Sequence, residues 1–177
     1  MSILRTALDY AKDYDETVFK DTSRSELIEC LRAWFNVWEE GQPKALDYEA
    51  LSDAGRLVGR SGHENLDKET LDWYLERRSP IRHEIMADFL IGYWRTAKQA
   101  DADVLKRMLL SLNELTHESW AYAASLLALY MAVSSGIVSP PSPLQDVQNA
   151  LLNHLNHLEE TGLHKGVAQF LEYLRQK

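Results

Sequence analysis

Only one cysteine, Cys30, occurs in the chain, so no disulfide can close within it. It falls inside the apolar helical pattern ELIECLRAWF with no histidine within a turn. That setting fits a small buried hydrophobe better than a nucleophile. Proline and glycine are scarce too, at 5 and 8 of 177 residues, which leaves long stretches free of helix breakers. No apolar run reaches the ~20 residues that a membrane-spanning helix needs. The longest, WAYAASLLALYMAV over 120–133, is already interrupted by Ser125. The opening MSILRTALDYAKDYDE carries acids early and lacks a cationic stretch followed by an apolar one, so it does not read as a secretory leader. A cytoplasmic protein that is not embedded in a membrane is expected.

Positive charge is the other shortage. Nineteen Lys and Arg stand against 27 Asp and Glu, a net charge of −8. Such a surface repels nucleic-acid phosphates and anionic lipid and attracts cationic partners. A helix-turn-helix DNA reader is disfavoured for the further reason that no helical segment carries a run of Lys or Arg. The plainer account of the acidity is solubility alone. Signatures of catalysis are missing as well. There is no G-x-S-x-G, no phosphate-binding loop, and no G-x-G-x-x-G following a strand.

What remains, 45% hydrophobic and 26% charged residues, is the composition of a folded protein. The apolar spacing is helical almost throughout and no segment alternates as a strand would. A first helix is expected over 3–19, capped by Ser2. A second follows the capping box Ser23/Glu26, with Leu27, Leu31, Trp34 and Trp38 inward. LDYEAL (46–51) and LDKETL (66–71) read as two helix starts capped by Asp47 and Asp67. Ser79-Pro80 opens a fifth helix, Asp101 caps a sixth, and Thr116 caps a seventh. That seventh helix, over 117–134, is apolar on nearly every side and is expected at the centre. After the linker 134–142, within SSGIVSPPSP, two more helices would form a C-terminal hairpin over 143–177. The expectation is one all-α domain, a globular bundle of seven to nine helices with mostly antiparallel neighbours.

Three groups of residues carry candidate chemistry. His154, His157 and His164 lie close together in NHLNHLEETGLH. Two imidazoles at i, i+3 share a helix face and would ligate zinc if a third ligand arrived. Without HExxH or a cysteine partner they read instead as the polar border of an amphipathic helix, and no cofactor is expected. The adjacent pairs His63-Glu64, His83-Glu84 and His117-Glu118 make no acid–base couples, because neighbours on a helix point ~100° apart. In ERRSPIRH, Arg77, Arg78 and Arg82 flank a helix start whose free N–H groups would help cradle an anion. Arginine at the end of one helix, pairing with nearby acids, explains them equally. Finally, five tryptophans are many for this length. Trp34 and Trp38 sit one turn apart, and Trp73-Tyr74 and Tyr93-Trp94 are neighbours, so an aromatic patch rimmed by acids is the main hint of a docking surface.

Together these point to a non-catalytic protein-interaction module: an adaptor, regulator or acidic inhibitor whose partner presents a basic surface. Nucleic acid is not expected as a partner, and a homodimer through the second helix is an option. The alternative is a ligand-binding or catalytic helical domain with an anion pocket at Arg77, Arg78 and Arg82.

Overall fold

The free amide groups at the helix starts find side-chain oxygens where the sequence puts them, and this sets most of the element boundaries. The computed structural model describes residues 2–41, 47–116, 119–138 and 153. Among them eight helices follow in order: α1 (Ile3–Asp9), α2 (Thr17–Lys20), α3 (Arg24–Gly41), α4 (Tyr48–Gly59), α5 (Leu66–Glu76), α6 (Pro80–Thr96), α7 (Ala102–Leu112) and α8 (Trp120–Ser134). No strand forms among the described residues; one isolated bridge pairs Ala100 with Val138. The all-α expectation holds. The hairpin expected over 143–177 apart from residue 153, the linker from 139 to 142, and His154, His157 and His164 lie outside the described residues.

The caps explain the starts. Ser2 Oγ accepts from the Arg5 amide, Asp47 from Ala50, Ser79 from Arg82, and Asp101 from Asp103 and Val104. The expected box at α3 forms in full: the Ser23 amide donates to Glu26 Oε2 at 3.2 Å and the Glu26 amide to Ser23 Oγ at 3.3 Å.

Three expectations about these starts need correction. The first helix is two, because the chain turns after Asp9. Asp9 Oδ1 is engaged by the Trp34 indole at 2.9 Å, and Asp15 caps the Thr17 amide at 3.0 Å. The last helix starts at Trp120 under Ser119, whose hydroxyl accepts from Tyr122, and not under Thr116. Asp67 is no cap. Helix α5 begins two residues earlier after Asn65, in left-handed backbone at φ 57°, and Asp67 turns fully inward. It receives the Trp94 indole at 3.0 Å and the amides of Asp101 and Lys68 at 2.7 and 2.9 Å. One carboxylate thus joins α5, α6 and the start of α7. Burial still pushes its pKa up, against the pull of those donors.

Helix α6, not α8, is the centre of the described bundle. It packs against α3, α4, α5 and α8, whereas α8 packs against α6 and α7. Contacts advance together along α4 and α6: Ser52 meets Gly92 while Gly59 meets Tyr93 and Thr96, so this pair runs in the same sense. Against α8, His83 meets Ser125 and Asp88 meets Trp120, and the segments that follow the two helices also meet, the Ala100 amide donating to the Ile137 carbonyl at 3.0 Å. The main layer is therefore α4–α6–α8, each step skipping one helix of the chain. Aromatic rings fill the space behind it. Phe35 lies 4.9 Å from Trp73 and 5.1 Å, edge-on, from Phe89.

Glycine makes the α4–α6 contact possible. A Cβ at Gly55 would fall on the Phe89 carbonyl oxygen, and one at Gly92 on that of Ser52. At Gly59 it would meet Thr96 Oγ1, whose hydroxyl donates to the Arg56 carbonyl at 2.6 Å. Backbone cannot give way as a side-chain tip can. Gly55→Ala or Gly92→Ala should therefore cost about 3 kcal/mol or more in urea unfolding. Gly41→Ala, where nothing lies within 4 Å, should stay within about 1 kcal/mol of the parent.

Candidate functional site

The arginines of ERRSPIRH do not converge. Arg82 is 7% exposed and points into the bundle. Its Nε donates to Glu39 Oε2 at 2.8 Å, its Nη2 to Asn36 Oδ1 at 3.3 Å, and its Nη1 to the Trp73 carbonyl. The guanidinium carbon lies 4.4 Å from the Trp73 ring centre. Sequence reading pairs Arg82 with Glu76 or Asp88; the carboxylate that reaches it is on α3. Arg78 is exposed, pairs with Glu114 at 3.2 Å and lies over Tyr74. Arg77 is the exposed C-cap of α5. With Arg82 consumed by Glu39, the three cannot act as one anion cradle. Arg82→Leu should lower stability by about 3–5 kcal/mol by stranding Glu39. Phosphate titration of the parent protein should show no site that the substitution removes.

The aromatic patch is likewise corrected. Trp34, Trp73, Tyr93 and Trp94 are at most 1% exposed, and Tyr74 is 6% exposed. Trp38 alone is half-buried, against Trp34 at 5.7 Å. The reason is that rings adjacent in sequence face different helices and not one face of water. Trp73 donates to Asn36 Oδ1 at 2.8 Å, toward α3, and Trp94 donates to Asp67 on α5. Each buried indole N–H has an acceptor, which is what makes tryptophan affordable in a core. A dimer face on the second helix loses Trp34 for the same reason.

The exposed aromatics are others: Tyr48 at 51% and Trp120 at 38%, with ring centres 5.6 Å apart. They stand at the rim of a cleft of about 360 Å³ between α4, α6 and α8. Helix α4 supplies Tyr48, Glu49, Ser52 and Asp53. Helix α6 supplies Asp88, Ile91 and Arg95, and α8 supplies Trp120 and Leu127. The acids of the α4 wall are already engaged. Lys12 reaches Glu49 at 3.1 Å and Asp53 at 3.9 Å, and Arg56 reaches Asp53 at 3.5 Å.

Asp88 is different. It is 1% exposed, and neither carboxylate oxygen has a well-formed hydrogen bond. Among the described residues no cation stands within ion-pair distance of it. Burial pushes its pKa up to about 7; Glu84, one turn earlier, pushes the same way, and the Trp120 indole pulls back least. Burial raises Glu84 too. This acid sits within IMADFLIGYW, and that lone acid in an apolar run is the signal from which the site could have been found in the sequence.

His83, one turn before, shows the opposite outcome. It is fully buried, and its Nε2 lies 2.7 Å from Ser125 Oγ. Since that hydroxyl donates to the Ala121 carbonyl at 2.6 Å, it accepts from the ring. Burial, helped by Arg78, holds the imidazole down to about 4. A serine spent on a carbonyl and shut from water makes no nucleophile, so this is a neutral core contact.

Among the described residues no three His, Cys, Asp or Glu side chains gather as a metal would need. No helix there is long and apolar enough to cross a membrane. No family model, curated protein or solved structure matches the chain.

The cleft can therefore do one thing well. It offers a buried acid, without a well-formed hydrogen bond at either oxygen, beneath an aromatic rim. Its proton affinity has a stability consequence whose sign is opposite to that of a salt-bridged aspartate. With the folded pKa raised from 3.8 to about 7, the folded state holds the proton more tightly, and stability is lost as pH climbs through that window. Asp88→Asn removes the loss. The variant should exceed the parent by about 2–4 kcal/mol at pH 8, with the gap closing toward pH 4. Taking the difference between the two proteins cancels the titration of His83, which works in the other direction.

Proposed function

We propose that this protein is a non-catalytic interaction module that receives a basic surface of a partner protein at the cleft between α4, α6 and α8. The observation that carries this is Asp88, a buried carboxylate that no cation among the described residues pairs with and that only the Trp120 indole approaches, under an exposed Tyr48–Trp120 pair. A buried polar group without a partner is costly, and a donor brought by a partner protein is one way to offset that cost. The net charge of −8 supports the same polarity of partner by steering cations toward the molecule. Aromatic rings at the mouth of a pocket are what interface anchors pack upon. An adaptor or an acidic inhibitor would use the cleft alike, by covering the partner's basic site.

The alternative, a pocket for anions at Arg77, Arg78 and Arg82, draws no support from an arginine set that is split between a buried ion pair and two separate surface positions.

Immobilised parent protein and the Tyr48→Ala/Trp120→Ala variant should be challenged with the same native extract at low and at 0.5 M salt. The expected result is a basic protein retained by the parent at low salt, released by salt, and retained at least tenfold less by the variant. Equal retention on both matrices would mean that the cleft is not the docking site.

A further inference from the structure

Resting on that reading, we infer that the Asp88 cleft is an anchoring pocket for one arginine side chain of the partner, whose guanidinium donates to the Asp88 carboxylate against the face of Trp120. Three features of the cleft select this group over other cations. First, both oxygens of Asp88 lack well-formed hydrogen bonds, so the group that completes the site must bring N–H donors and preferably two. A planar guanidinium presents two parallel donors to a carboxylate, an ammonium acts as a single point charge, and a quaternary ammonium has no donor at all. Second, a guanidinium is weakly hydrated and stacks on aromatic faces, which suits an entry between Tyr48 and Trp120. Third, the wall acids Glu49 and Asp53 are already held by Lys12 and Arg56, so the acid of the cleft that no cation among the described residues yet holds is Asp88; Arg95, exposed on the same wall, lies outside ion-pair distance of it. The pairing has an internal precedent. Arg82 meets Glu39 in the same way, with its guanidinium over Trp73, on the other side of α6.

The oxygens of Asp88 are closed off from solvent, and the Trp120 indole lies against them. Entry of the guanidinium therefore requires the indole to turn aside, and the Trp120 side chain becomes a reporter. The charged neighbours of Asp88 that bear on the test are Glu84 and Arg95 on α6 and Glu49 and Asp53 on α4; from α8 the cleft receives only Trp120 and Leu127. An incoming cation binds the ionised carboxyl, so affinity should follow the ionisation of Asp88.

The experiment is a titration of the full chain, followed through the indole N–H resonance of Trp120, identified by its loss in Trp120→Phe. The probes are a Gly-Ser-Arg-Ser-Gly peptide, the same peptide with lysine, methylguanidinium and tetramethylammonium. We expect the arginine peptide to bind at least tenfold tighter than the lysine peptide and than methylguanidinium, with tetramethylammonium leaving the resonance unmoved. Its affinity should rise about tenfold from pH 6 to pH 8 as Asp88 ionises. Asp88→Asn should abolish binding while making the protein more stable at pH 8, a pair of opposite changes that a merely structural role does not produce. Tetramethylammonium binding as well as the arginine peptide, binding retained by Asp88→Asn, or methylguanidinium equalling the peptide would each overturn the inference. If no probe binds while the parent still retains a basic protein through Tyr48 and Trp120, only the arginine anchor is lost and the docking reading stands.

Discussion

The close approach of α4 to α6 is the constraint on which the rest depends. With no Cβ at Gly55, Gly59 or Gly92, the backbone of one helix lies directly against carbonyl groups of the other. That contact fixes the spacing of the layer completed by α8, and so the width of the cleft above it. Tyr48 and Asp53 stand on one wall and Asp88 and Arg95 on the other because these two helices run in the same sense at this distance. A larger residue in either helix would separate the walls and carry Tyr48 away from Asp88 and Trp120.

Buried charge in this molecule is handled in three ways, and the differences locate function. Arg82 and Glu39 complete each other, with Asn36, the Trp73 carbonyl and an aromatic face meeting the remaining donors. Asp67 is met by donors from three places and joins helices that are distant in sequence. Both are solved electrostatic problems, and they read as architecture. Asp88 is buried to the same degree but no cation among the described residues meets it, and it lies at an opening between α4, α6 and α8. The contrast between its surroundings and those of Asp67 is stronger ground for a site than burial by itself, since burial is common to all three.

Much of the helical outline was legible because it rests on short-range chemistry. Ser23 and Glu26 make the box that their spacing implies, and Ser79, Asp47 and Asp101 cap where they stand. Where a side chain has a distant alternative, local reading failed. LDKETL resembles LDYEAL, but Asp67 finds the Trp94 indole and the Asp101 amide, so it turns inward and leaves the helix start to Asn65. The apolar content of α8 suggested a central helix, yet α6, with its histidine, arginine and aspartate, is the one surrounded. Its polar residues are buried because α3 and α8 bring partners for Arg82 and His83, which no periodicity of α6 alone can reveal. The surplus tryptophans invited a surface reading for a similar reason: their acceptors, Asp9, Asn36 and Asp67, lie 25 to 37 positions away.

By itself the sequence determined the class of the protein. Helical periodicity, caps, few breakers and a surplus of acids are properties of neighbouring residues and of totals, and folding does not change them. Tertiary structure alone decided which acid matters. Asp47, Asp67 and Asp88 are the same side chain in three helical settings, and they become a cap, a tie and an unmet acceptor. Asp47 serves its own helix, while Asp67 and Asp88 differ in the donors that other helices carry to them, and those are set only once α5 to α8 have packed.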